Sequence, residues 1–235
     1  MKITNVQPQQ VAFHQELHRN ENAVVLVSVS GFRCVMKVVS GIHPPHRALW
    51  MDGENPHHDY PHRARIHQRE ATAYQKLQAC GVTQKGYVPQ FYGSVQGLEP
   101  KLWRPHLDMF MDDINLPSAI FIEYIPGLRQ LHLDTRFVDA IKAVTAALVM
   151  HNDLTARNFF MIAPGDPERV ILLYFDRART WDKDTLTARQ QEWLHEDVQI
   201  VEDLGRLLEI DVAEGPPQRF LHLLLHSNPE RHGFA

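Results

Sequence analysis

The sequence predicts an α+β fold of two lobes, and the order of its hydrophobic patterns is the reason. Runs rich in β-branched residues fill the first third, a helical stretch interrupts them, and two further strand patterns follow. From residue 134 the order becomes helix, hairpin, helices. At 235 residues the chain suits one domain or two small lobes sharing a core, since domains run to roughly 150 residues. The patterns divide it into a β-rich lobe with one helix at 1–117 and a helical lobe at 118–235.

Taken in order, Val11–Phe13 is a short strand pattern. Ala23–Val29 and Phe32–Val39 are fuller ones, joined by the turn pair Ser30-Gly31. Residues 40–62 contain Pro44, Pro45, Pro56 and Pro61 and no periodicity, so they read as a long irregular insert. A helix is predicted over 64–79, where Ile66, Ala73, Tyr74 and Leu77 recur at helical spacing and Gly81 stands just past the end. Val88–Val95 and Ser118–Tyr124 are the next strands. Phe137, Ile141, Val144 and Leu148 give Asp134–Val149 a helical period. A polar loop at 151–158 leads to a hairpin, Phe159–Ile162 and Val170–Phe175, around the turn Pro164–Pro167. The pattern is helical again over Thr187–Glu209, with a short helix at Arg219–His226 after Pro216-Pro217.

Composition excludes several classes. With 24 Lys+Arg against 28 Asp+Glu the chain lacks the basic balance of a nucleic-acid binder. A hydrophobic fraction of 44% excludes a disordered chain. Two cysteines, Cys34 and Cys80, are too few for a disulfide framework and suit a reducing compartment. They read as core thiols rather than nucleophiles. Met1–Gln10 is polar, without the apolar stretch of a secretory signal. The longest apolar runs, Ala23–Val27 and Val170–Phe175, fall far short of the roughly 20 residues that span a bilayer. The expectation is a cytoplasmic protein with neither nucleic acid nor membrane as partner.

Fifteen histidines are unusual. His43, His46, His57, His58, His62 and His67 lie in or beside the insert, and imidazole suits zinc. Prolines break the helical regularity that the His58–His62 spacing would need, and no cysteine joins the set, so a solvated or substrate-facing loop is expected. Trp50, Trp103, Trp181 and Trp193 are scattered, which reads as packing rather than a stacking platform.

The most specific chemical signal is His151-Asn-Asp-Leu-Thr-Ala-Arg-Asn158. Phosphoryl transfer needs a carboxylate to orient the attacking hydroxyl and oxygen ligands to hold Mg²⁺. An Asp and an Asn five positions apart in one turn supply both. The stretch resembles the catalytic loop of the protein-kinase-like superfamily, H-x-D-[L/I]-x-x-x-N. The chain is similar to its compact fungal kinase-like and aminoglycoside-phosphotransferase-like members. Lys37, in Cys34-Val-Met-Lys-Val-Val39, stands where that family keeps its phosphate-pairing lysine, and Glu70 on the first helix where it keeps the lysine's partner. Ile120-Phe-Ile-Glu-Tyr-Ile-Pro-Gly127 resembles the strand that receives adenine. The resemblance implies a reduced bilobal fold with ATP and Mg²⁺ bound between the lobes. Asp153, His151, Lys37 and Glu70 would be catalytic, and Lys37, Glu123, Ile125 and Asn158 would bind the nucleotide. Asn158 and Asp176 would hold the metal.

Three departures qualify this. In Leu172-Leu-Tyr-Phe-Asp-Arg-Ala178 the metal-ligand aspartate is replaced by Tyr174, a poor ligand for a hard cation because its hydroxyl titrates near 10. Asp176, two residues on, is the nearby reserve. Phe13–Asn20 contains no glycine to let the backbone approach phosphates. Only 57 residues follow Ala178, too few for a large peptide-binding lobe. The reading is therefore a phosphotransferase acting on a small molecule or an atypical protein. Two alternatives stay open: a pseudokinase that binds a protein partner, and an enzyme that turned Asp153, His151 or Tyr174 to acid–base chemistry on a metabolite.

Overall fold

The computed structural model describes residues 2–19, 22–40, 66–130, 136–154, 161–165 and 167–214, with side chains as far as residue 206. The fold is mixed α+β. Strands β1 (Val11–Arg19), β2 (Asn22–Val29), β3 (Phe32–Val39), β4 (Phe91–Val95) and β5 (Ser118–Ile122) form one antiparallel sheet in the order β1-β2-β3-β5-β4. Ser30 and Gly31 both take positive φ, 49° and 84°. Two such residues make the tight turn whose twist suits a two-residue hairpin.

The edge strand β1 runs well beyond Val11–Phe13. Its outer residues are polar and exposed, so no burial alternation marks them. Backbone pairing with β2, from Val11 opposite Val29 to Arg19 opposite Ala23 with two bulges, makes it a strand. β5 is an inner strand, paired to β3 with Lys37 opposite Ile120 and to β4 on its other side. The sheet therefore runs past residue 117 into residues expected to open the second lobe.

Both faces of this sheet are covered, which explains why β2 and β3 read as continuous apolar runs. On one face Val25, Val27, Cys34, Met36, Val38 and Phe121 pack against Trp103, Leu107 and Phe110. On the other, Val35, Ile120 and Ile122 meet Ala73, Tyr74 and Leu77 of helix α1 (Ile66–Ala79). Fully burying an apolar side chain such as Leu77 contributes about 1.5–3 kcal/mol. The same core continues into helix α2 (Arg136–Ala146) through Phe137, Ile141 and Val144, and into Val198, Val201 and Leu204 of helix α3 (Ala188–Glu214).

Helix α2 stops at Ala146, short of the expected Val149, because Leu148 turns to a φ of 57°. Val149–Met150 then forms β7, paired with β10 (Arg179–Thr180). β6 (Arg129–Gln130), β8 (Met161–Ala163) and β9 (Arg169–Ile171) make a three-stranded sheet. The expected strand Val170–Phe175 ends at Ile171. Leu172 N–H donates to the Tyr87 carbonyl, Tyr174 turns left-handed, and Phe175–Arg177 forms a 3-10 turn. All of the insert at 40–62 but Ser40, and the helix at Arg219–His226, lie outside the described residues. No helix among the described residues is long and apolar enough to cross a membrane.

The N-terminal segment is tied to the β4 edge. Ile3 N–H donates to the Tyr92 carbonyl at 2.6 Å, and Gly93 sits at φ 147°. A Cβ on Gly93 would lie 1.8 Å from the Ile3 carbonyl oxygen. Gly93→Ala should therefore undock Ile3 and cost about 2 kcal/mol, within the usual range for strained backbone substitutions. Deleting residues 1–5 in the Gly93→Ala background should cost almost nothing more. Urea denaturation of the four proteins checks this, and full additivity of the two changes would contradict the contact.

Candidate functional site

Lys37 lies on the face of β3 that looks toward α1, and α1 carries Glu70 one turn before Tyr74. Lys37 Nζ donates to Glu70 Oε2 at 2.7 Å and to Oε1 at 2.9 Å. The side chains are 9% and 2% exposed. Burial works to lower the lysine's pKa, yet the Glu70 carboxylate and Asp176 beyond it hold the ammonium above its usual value. Burial lifts the Glu70 carboxyl above the ordinary range, with Lys37 pulling the other way.

Two more oxygens belong to this cluster. Asp176 Oδ1 and Tyr74 Oη are buried without a hydrogen-bond partner among the described residues. Burial raises the Tyr74 hydroxyl's pKa well above 10, and the charges of Glu70, Tyr174 and Asp176 raise it further. Leaving such a group unsatisfied costs about 1–3 kcal/mol. Tyr174 stands beside these groups. It is 42% exposed, its backbone is left-handed (φ 64°, ψ 59°), and Lys37 Nζ lies 5.8 Å from its ring centre. A bulky residue in that backbone region is strained, and strain of this kind collects at functional sites.

An aromatic column joins the ion pair to the 151–158 loop. Phe91 stacks on Tyr74 with centroids 5.9 Å apart, Tyr74 meets Phe175 edge-on at 5.2 Å, and Phe175 meets His151 at 4.8 Å. The His151 backbone N–H donates to Asp197 Oδ2 at 2.7 Å, and its Nε2 hydrogen goes to the Leu173 carbonyl, also at 2.7 Å. Burial lowers the His151 pKa, against the opposing pull of the Leu173 bond, Asp153 and Asp176, so the imidazole is neutral near pH 7. Fully buried, His151 has the place of a positioning residue rather than a group that meets substrate.

Asp153 is 17% exposed, with Arg177 Nε 3.7 Å from its Oδ2. Asn152, at φ 62°, donates from Nδ2 to the Arg177 carbonyl at 3.3 Å, which fixes the two segments together. Glu123 spends its N–H on the Gln90 carbonyl, and its carboxylate on Gln90 N–H and Arg169. Ile125 is half-buried beyond it. Asn158 and five of the six singled-out histidines lie outside the described residues. The sixth, His67, is a buried core residue whose Nε2 is 3.2 Å from the Ala119 carbonyl. Burial pushes the Cys34 thiol up to about 11, which suits a packed thiol. Among the described residues no three His, Cys, Asp or Glu side chains group as a metal site.

Two features escaped the sequence reading. Asp197 sits at a core position of α3, in the 194–197–198–201 spacing, so a carboxylate interrupting that apolar stripe was a usable signal. Trp181 and Trp193, far from scattered, lie 6.3 Å apart. No family model matches the chain, and no curated protein matches it.

Neutral, buried His151 has a measurable consequence. Below about pH 6.5 the unfolded chain takes a proton there that the folded chain refuses. Stability should fall as pH drops through 6.5 toward the lowered native value, by up to about 1.4 kcal/mol per pH unit. His151→Gln should flatten the stability curve between pH 7 and 5 relative to wild type. Parallel curves from denaturant titrations would contradict a neutral native imidazole.

Proposed function

We propose that the chain is a kinase-like phosphotransferase of reduced bilobal build, using ATP and Mg²⁺ on a small-molecule or atypical protein acceptor. The observation that carries this is the buried Lys37–Glu70 pair with, beside it, an Asp176 carboxylate oxygen that has no hydrogen-bond partner among the described residues. A purely structural ion pair needs no second carboxylate beside it, and an orphaned carboxylate oxygen is costly unless a ligand completes it. A divalent cation with a nucleotide's phosphates fits that need, since Mg²⁺ takes few carboxylates and keeps phosphate and water as its other ligands. Lys37 is then the phosphate partner, held by Glu70.

Asp153 supplies the remaining role. The acceptor oxygen bonds to the γ-phosphorus while its proton passes to Asp153, and the bridging oxygen leaves on ADP with the bond's electron pair. Arg177, 3.7 Å away, orients the carboxylate. One buried and one exposed free cysteine support a reducing, cytoplasmic setting. One observation favours a second reading, a binding module or an acid–base enzyme without phosphoryl transfer: the Tyr174 ring, at the position where the family the chain resembles keeps a metal-ligand aspartate, has its centre 5.8 Å from Lys37 Nζ.

Asp153→Asn should lower transfer of label from γ-labelled ATP, to water or to an acceptor, by the 10²–10⁴-fold of a lost general base. ATP affinity should stay within about twofold, because Asp153 orients the hydroxyl rather than the nucleotide. Wild-type protein that binds ATP but transfers no label, with a metabolite turnover that Asp153→Asn abolishes, would decide for the second reading.

A further inference from the structure

Beyond Arg177, the arm that follows Asp176 and the start of α3 bring together two arginines, Arg179 and Arg189, that phosphoryl transfer alone does not use. Arg177 closes the 3-10 turn and Arg179 opens β10, and both are exposed while Ala178 between them is buried. Arg177 reaches Asp153. The Arg179 guanidinium lies 5.6 Å from the centre of the Trp193 ring, and Arg189 lies 5.7 Å from the same ring. Arg189 shares its charge with Glu192 at 3.1 Å. Arg179 has no carboxylate partner among the described residues. Stacking on an indole holds a guanidinium still without consuming its N–H donors. Such a group is pre-organised for a planar or tetrahedral anion and loses little entropy on binding one.

We infer that Arg177, Arg179 and Arg189, running from Asp153 onto the Trp193 indole, bind the phosphate group of the acceptor, which is a phosphate-bearing small molecule. The acceptor half of this inference rests on the phosphotransfer reading. The three guanidiniums outnumber the two carboxylates they meet, Asp153 and Glu192, and leave Arg179 with its charge unshared; Arg is the residue that pairs with phosphate in two-pronged fashion. Because Arg177 contacts Asp153 itself, the bound phosphate and the reacting hydroxyl are only a few bonds apart, a spacing that a compact molecule provides.

Trp193 reports occupancy directly. Full-length protein is titrated with inorganic phosphate, glycerol 3-phosphate or a phosphoserine peptide, against chloride at equal ionic strength, while tryptophan fluorescence is followed. The two small phosphates should change the emission saturably, Trp193→Phe should abolish the change, and Arg179→Glu should weaken binding at least tenfold. Arg179→Lys, which keeps the charge but not the fork, should fall between. A response unchanged in Arg179→Glu, no response to either small phosphate, or a response to the peptide alone would overturn the inference. The thermal response to ATP, run in parallel, separates the two ideas. Phosphate binding without an ATP response removes the phosphotransfer reading and leaves the anion site. An ATP response without phosphate binding does the reverse.

Discussion

An ammonium group buried beneath a helix must be neutralised where it sits, and the Lys37–Glu70 pair meets that requirement for this fold. Each ion taken from water costs several kcal/mol, recovered only when the partner is in contact and well aligned. Both of Glu70's oxygens accept from the one Nζ. That geometry fixes how α1 lies on the sheet, because any slide of the helix would part the charges. It also explains the placing of Lys37 among Val35, Ile120 and Ile122 on the α1-facing side, where an apolar residue would otherwise stand.

From this pair the constraint passes to the loop that bears Asp153. Tyr74 is four residues after Glu70 and lies on the same helix face. It packs against Phe175, which packs against His151, whose backbone N–H is held by Asp197 of α3. Every member of this chain except Asp197 and Glu70 is aromatic, and aromatic contacts of this kind add about 0.5–1.5 kcal/mol beyond simple burial. The helix bearing Glu70 and the loop bearing Asp153 are thus coupled through packed rings. A change that moved Phe175 would disturb the ion pair and the loop together. Tyr174, strained and exposed on one side of Phe175, and Asp176, half-buried on the other, are carried by the same short turn.

Much of this was legible in the sequence where local pattern and burial agree. Strand and helix periodicities were enough to place Lys37 on a strand and Glu70 on a helix, but that the two should meet was expected from the resemblance to the kinase-like family. β1 was underestimated because an edge strand held by backbone pairing leaves no hydrophobic alternation. The inner place of Ser118–Ile122 was invisible because sheet order depends on long-range pairing, which a linear pattern does not encode. The left-handed backbone at Tyr174 had no glycine to announce it. The meeting of Trp181 with Trp193 depends on how α3 crosses the β10 arm, again a tertiary matter.

The central claim is that the buried charges around Lys37 exist to hold a metal–nucleotide pair, with Asp176 as the carboxylate ligand. The most direct measurement is the thermal and denaturant stability of wild type and Asp176→Asn with ATP, with and without Mg²⁺ or Mn²⁺. A ligand at 100 times its Kd adds about 2.7 kcal/mol. Wild type should gain stability with ATP only when the divalent cation is present, and Asp176→Asn should lose at least tenfold in that metal-dependent affinity. Stability indifferent to ATP, or an ATP response independent of metal and unchanged in Asp176→Asn, would contradict the claim.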